Sequence, residues 1–148
     1  MGYTGPMLDR LQTTTLRGAE IGLCIVRVGF GMTLSLSHGV GKLGKLESFT
    51  DKVAAQGIWL AEVTAPAAAV SEALGGLLLA LGLFTRPAAV FVVATMLVAA
   101  FVAHAGDPFS RRELALAYAC LGVALAVAGP GRFSLDGLWR AHRRGGPA

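Results

Sequence analysis

Residues 61–104 read AEVTAPAAAVSEALGGLLLALGLFTRPAAVFVVATMLVAAFVAH. Two apolar runs, 61–83 and 87–104, are separated only by Phe84, Thr85, Arg86 and Pro87. A helix needs about 18–20 apolar residues to cross the hydrocarbon core of a bilayer. Both runs approach that length, and a link this short can only join antiparallel neighbours, so the stretch predicts a helical hairpin embedded in lipid. Pro87 suits the first turn of the second helix, where its missing N–H costs nothing. Working outward, runs 19–37 and 113–129 approach the same standard. The expected fold is therefore all-α, a four-helix transmembrane bundle of up-down topology. AGDPFSRR (105–112) reads as a polar turn, with Glu113 placed where a negative charge suits the helix dipole. Gly129-Pro130-Gly131 stops the last helix.

Composition agrees. Of 148 residues 54% are hydrophobic and 15% charged, and the mean hydropathy is +0.61. A soluble domain this small cannot bury so much apolar surface, so the excess must face lipid. The net charge of +4 would raise the question of nucleic acid in a soluble protein. Here the basic residues flank apolar runs, which makes lipid headgroups the expected partners and excludes nucleic acid. No apolar core precedes Ile21, so no cleaved signal peptide is expected. The chain divides into an N-terminal tail (1–18), a membrane domain (19–137) and a basic C-terminal tail (138–148). Arg10, Arg17, Arg86, Arg132, Arg140, Arg143 and Arg144 fall on one side, against Lys42, Lys45, Lys52, Arg111 and Arg112 on the other. This balance favours a multi-pass protein with both termini in the cytoplasm. Cys24 and Cys120 lie inside apolar runs and read as small buried hydrophobes rather than as a disulfide or zinc pair.

The first connection, 39–59, places Leu43, Leu46, Phe49 and Val53 at helical spacing with charges on the other faces. It can form an interfacial amphipathic helix with Trp59 anchoring the return, or a structured loop packed on the bundle.

An ionisable group at mid-membrane costs about 3 kcal/mol on insertion scales and therefore faces the bundle interior with a partner. Arg27 and Glu72 lie near the centres of the first two spans, so they are expected to pair across those helices, either as a structural ion pair or as part of a polar-ligand site. At 100° per residue, Glu20, Arg27 and His38 fall within about 20° of one another, which makes that face the inward one. Gly31 lies near it, and Gly75, Gly76 and Gly82 offer close packing from the second span. A second group, His38, Lys42, Glu62, His104 and Glu113, is expected at the non-cytoplasmic mouth. These residues fit a proton-handling pocket, a two-histidine, one-carboxylate metal site or plain interfacial polarity, and no dedicated metal motif is present. Thr95, Met96 and Tyr118 read as packing residues.

Arg27, HGVGK (38–42), EALGGLLLALGLFTRPAA (72–89), His104, Glu113 and GPGRFSLD (129–136) together give a pattern that resembles the DoxX family of small bacterial membrane proteins. The resemblance spans roughly 20–137. It implies a four-helix bundle in the cytoplasmic membrane and, through similarity to the quinone-reducing DoxD-type subunit, an oxidoreductase subunit linked to quinone or to redox stress. On that reading Arg27, Glu72 and Lys42 surround the polar head of a quinone or similar small apolar compound, while His38, His104 and Glu113 pass protons. A partner subunit or a homodimer is compatible with it. The alternative is a non-catalytic membrane partner or a lipid or small-molecule carrier. A transporter is disfavoured, because the four runs show no internal repeat.

Overall fold

The computed structural model describes residues 6–145, with side chains over 14–143. The ends of both expected tails, 1–5 and 146–148, and the side chains of Arg10 and Arg144 lie outside the described residues.

Among the described residues every regular element is helical. Helix α1 covers 6–44: an α-helix Pro6–Thr33, a π-helical turn Leu34–Gly39 and a closing α-turn Val40–Gly44. It is followed by α2 (Leu46–Ala55), α3 (Ala61–Leu81), α4 (Thr85–Ala103), α5 (Phe109–Ala128) and α6 (Leu135–Arg144). Helices α3 and α4 each contain a π-turn, Ser71–Gly75 and Ala99–Ala103. The N-terminal tail is thus helical from Pro6, because polarity ends the membrane run but nothing between Pro6 and Gly18 stops a helix. The basic C-terminal segment is likewise helical, and α6 runs through the expected boundary at 137.

Three helical stretches, Thr14–Gly44, Ala61–Leu81 and Thr85–Ala103, are long and apolar enough to cross a membrane. Helix α5, the expected fourth crossing, has 20 residues. Its first turns carry Arg111, Arg112 and Glu113, which leaves 114–128 as its uncharged part. It packs along α4. Phe30, Leu34, Leu79, Val92, Met96 and Leu125 form the buried core. Large apolar side chains also point outward along these three stretches, among them Ile25, Leu74 and Phe91, and Val127 does so on α5, as expected where the surrounding solvent is lipid. Cys120 of α5 lies on the outward surface, not in the core as expected, because a small apolar residue in lipid surroundings can satisfy its environment on either side.

Small residues set the register of α1 against α3. A Cβ on Gly31 would strike the backbone of Gly76 and Ala80, one on Gly76 would approach Gly31 O at 2.8 Å, and one on Gly39 would strike the backbone of Ala73. Ser35 Oγ donates to Ala73 O at 2.8 Å in the same seam. This is the close-approach packing that replaces hydrophobic driving force between helices in lipid.

The α3–α4 hairpin is closed by its own backbone and by a carboxylate from the start of α6. Gly82 adopts φ +68° after Leu81. Gly82 N–H donates to Leu79 O (3.1 Å) and Leu83 N–H to Leu78 O (3.0 Å), the paired bonds of a Schellman ending. The Asp136 carboxylate then caps α4, accepting from Phe84 N–H (3.1 Å), Thr85 N–H (3.0 Å) and Thr85 Oγ1 (3.3 Å). Asp136→Ala removes that cap and is expected to cost about 1–2 kcal/mol, read as a lowered thermal midpoint in detergent, with Asp136→Asn recovering part of the loss. An unchanged midpoint for the alanine variant contradicts the capping role.

Candidate functional site

Arg27 and Glu72 do not pair, contrary to the sequence expectation. Arg27 is 1% exposed, and its guanidinium donates to Leu79 O (2.9 Å), Ala80 O (2.6 Å) and Phe133 O (2.5 Å). A cation on the last carbonyls of α3 is favoured by the helix dipole and satisfies acceptors that the helix leaves free. Cys24 Sγ completes this knot, 3.8 Å from Arg27 NH2. The expectation matched span midpoints, whereas the glycine seam places Arg27 beside residues 79–80 rather than 72. That is a shift of seven to eight residues, about 11 Å along the helix.

The π-turns account for a second departure. Each adds a residue to a turn and so breaks the 100° arithmetic that put Arg27 and His38 on one face. Arg27 faces α3 and the 129–136 segment, whereas the His38 ring meets Tyr118 of α5 edge-on at 5.8 Å.

Glu72 pairs instead with Lys42: Nζ donates to Oε1 at 2.5 Å. Glu72 lies in the π-turn of α3 at 2% exposure. The Lys42 stem reaches inward from the last turn of α1 and carries its ammonium past the Phe49 ring, 4.9 Å from the centroid. Glu72 Oε2 is buried without a hydrogen-bond partner among the described residues. An orphaned carboxylate oxygen at this depth is costly unless a ligand or water satisfies it.

Two cavities share the ion pair and His104 as lining. The larger, about 470 Å³, is walled mainly by apolar side chains including Phe49, Val53, Phe91 and Val98, with Ser71 and Thr95 among its few hydroxyls. Thr95 Oγ1 lies 2.9 Å from Ser71 Oγ. The smaller, about 130 Å³, includes His38, Met96, Arg111 and Tyr118 in its lining. His104 Nδ1 lies 2.7 Å from Asp107 Oδ2, which leaves Nε2 as the ring nitrogen not engaged by that carboxylate. All three π-turns border this region, since Ala99 and Ala103 also line the larger cavity. Such turns occur often at functional sites because they re-aim side chains within a helix.

The structure thus brings His38, Lys42, Glu72 and His104 together. Arg27 lies in the separate knot, and Glu62 and Glu113 are exposed and line neither cavity. Among the described residues no group of three His, Cys, Asp or Glu side chains is arranged to hold a metal ion. Helix α2 forms and lends Phe49, Lys52 and Val53 to the larger cavity, while Trp59 is left exposed. Asp107 was hidden in sequence by its place in a polar turn. Its signal was the i, i+3 spacing to His104, which lets a helix-end histidine meet a carboxylate. Thr95, Met96 and Tyr118 do pack, and each also lines a cavity.

Long apolar helices with outward-facing alkyl side chains and a half-buried ion pair define a polytopic α-helical membrane protein. The DoxX family model matches residues 22–105, more than half of the chain. The chain belongs to the DoxX family. No curated protein and no solved structure matches it. The matched segment contains the Lys42–Glu72 pair and the hairpin; GPGRFSLD lies beyond it and is tied to it through Arg27 and Asp136.

Proposed function

We propose that the larger cavity binds a small, mostly apolar ring compound of the quinone type, and that the protein serves as the membrane subunit of a quinone-linked oxidoreductase. The observation that carries this reading is the unpartnered Glu72 Oε2 beside Lys42, at the polar end of an apolar cavity of about 470 Å³. Cavities of this size and lining suit one ring compound with a few fixed polar contacts. Lys42 and the Ser71–Thr95 hydroxyls offer donors to a ring carbonyl, and Glu72 Oε2 offers an acceptor to a ring hydroxyl. When bound, a quinone supplies two-electron, two-proton redox chemistry. The chain's own part is to bind and orient the ring, exclude water with the α2 side chains, and hold protons at His104, oriented by Asp107, and at His38. A partner protein or a reduced small molecule supplies the electrons. In this reading α5 is the fourth crossing, with Arg111 and Arg112 at its headgroup-level end, and both termini face the cytoplasm of an inner membrane.

The test is binding of 2-methyl-1,4-naphthoquinone to purified protein. Glu72→Gln is expected to weaken it roughly tenfold, and Ala68→Phe, which fills the cavity from α3, to abolish it, with both variants still melting cooperatively. Wild-type protein that does not bind, or variants that bind equally well, overturn the reading. The breadth of the apolar wall also favours a carrier role for the same compound. Binding without turnover in membranes supplied with a reduced donor selects that alternative.

A further inference from the structure

The opposite end of α4 carries a separate cavity of about 320 Å³, lined by Phe84, Arg86, Asp136, Trp139 and Arg140 among others. Phe84 and His104 bracket the 19-residue helical stretch Thr85–Ala103, so this cavity lies about 28 Å from the Glu72 site's outer end, close to the thickness of the hydrocarbon core. It therefore sits at headgroup level on the other side of the membrane.

Its charge is unbalanced. The single carboxylate, Asp136, is turned onto the start of α4, where both its oxygens accept hydrogen bonds. Arg140 Nε donates to Asp136 O at 3.1 Å, which fixes the side chain and leaves its two terminal nitrogens free of protein partners among the described residues. Arg86 has no ion-pair or hydrogen-bond partner among those residues, and its guanidinium lies along the Gly129 backbone. Arg143 stacks over the Trp139 ring at 4.1 Å and adds a further positive charge. Beside these cations, Phe84 is 59% and Trp139 53% exposed.

We propose that this cavity is a headgroup site for an anionic phospholipid. The phosphodiester lies between Arg86 and Arg140, whose planar forks match phosphate oxygens, and the glycerol and upper acyl chains lie against Phe84 and Trp139. Free phosphate satisfies the arginines but leaves that aromatic surface bare, whereas a phospholipid covers both. A choline headgroup brings a cation toward two uncompensated guanidiniums, so the site selects against phosphatidylcholine. The assignment is independent of what occupies the Glu72 cavity.

Native mass spectrometry of the full chain in detergent, with phosphatidylglycerol, phosphatidylcholine or glycerol 3-phosphate added, tests it. Wild-type protein is expected to retain phosphatidylglycerol in preference to phosphatidylcholine. R86Q/R140Q should lower phosphatidylglycerol affinity roughly thirtyfold, R86K/R140K should lose less, and K45Q at the far end should change nothing. Equal retention of the two lipids, an unaffected R86Q/R140Q variant, or stabilisation by glycerol 3-phosphate equal to that by phosphatidylglycerol overturns the proposal. If the double variant does not fold, a photoactivatable phosphatidylglycerol on wild-type protein decides: labelling within 84–87 or 136–140 supports the site, and labelling elsewhere overturns it.

Discussion

Arg27→Leu is expected to be among the most damaging single substitutions in the protein. The side chain is buried and supplies donors to Leu79, Ala80 and Phe133 carbonyls. Each buried carbonyl left without a donor costs about 1–3 kcal/mol. Leu79 O keeps a second donor in Gly82 N–H and Phe133 O a weak one in the Cys24 thiol at 3.7 Å, so the loss falls chiefly on Ala80. A net cost of about 3 kcal/mol lowers the thermal midpoint by roughly 10 °C for a chain of this size. Arg27→Lys should recover less than half, since one ammonium cannot span carbonyls that a planar fork reaches together. If Arg27→Leu melts with the wild type, the knot contributes nothing to stability. Retained binding in the Glu72 cavity by whatever Arg27→Leu protein does fold is also expected, because the two sites share no residue.

Gly39→Ala should be as severe. A Cβ at this position overlaps the Ala73 backbone N and Cα, atoms that cannot rotate away. Overpacking against side chains typically costs 1–3 kcal/mol, so overlap with backbone is expected to cost about 3 kcal/mol or more. It should also separate α1 from the π-turn that carries Glu72. Gly29→Ala provides the contrast: nothing lies within 4 Å of its Cβ, and the helix gains up to about 1 kcal/mol of propensity. Thermal midpoints of the pair should therefore move in opposite directions. Equal midpoints contradict a register set by this seam. In the Gly39 variant the Lys42–Glu72 contact should open as well, read as weakened naphthoquinone binding in the surviving folded fraction.

The contrast between Arg27 and Glu72 shows what was legible in the residues. Apolar run lengths were enough to find the hairpin, the three long apolar helices and the stop at Gly129, because each is a local property of composition and of residues that cannot continue a helix. That Arg27 and Glu72 had to be buried and partnered also followed from the cost of charge in lipid. Their partners did not follow, for two reasons. Relative depth is fixed by which small residues meet, Gly31 with Gly76 and Gly39 with Ala73, and run midpoints carry no trace of this. Rotational phase is altered at each π-turn, and Ser71–Gly75 looks like any other helical sequence. The gathering of His38, Lys42 and His104 survived these errors because all three sit near helix ends on the same side, where up-down connectivity alone brings them close. Glu62 and Glu113 share that side but face outward, and only packing decides such a choice. Helix α5 shows a further limit: three charges in its opening turns weaken its apolar signal although it packs along α4.

The bond from Arg27 to Phe133 joins residues 106 positions apart, and Asp136 reaches back 51 positions to Thr85. During synthesis the guanidinium and the open N–H groups of the hairpin must wait, inside or beside the bilayer, for residues 133–136 to emerge. The clasp on Arg27 is therefore closed only after the hairpin is made, and a ribosome that stops short of residue 133 releases a chain in which the Thr14–Gly44 stretch still lacks it.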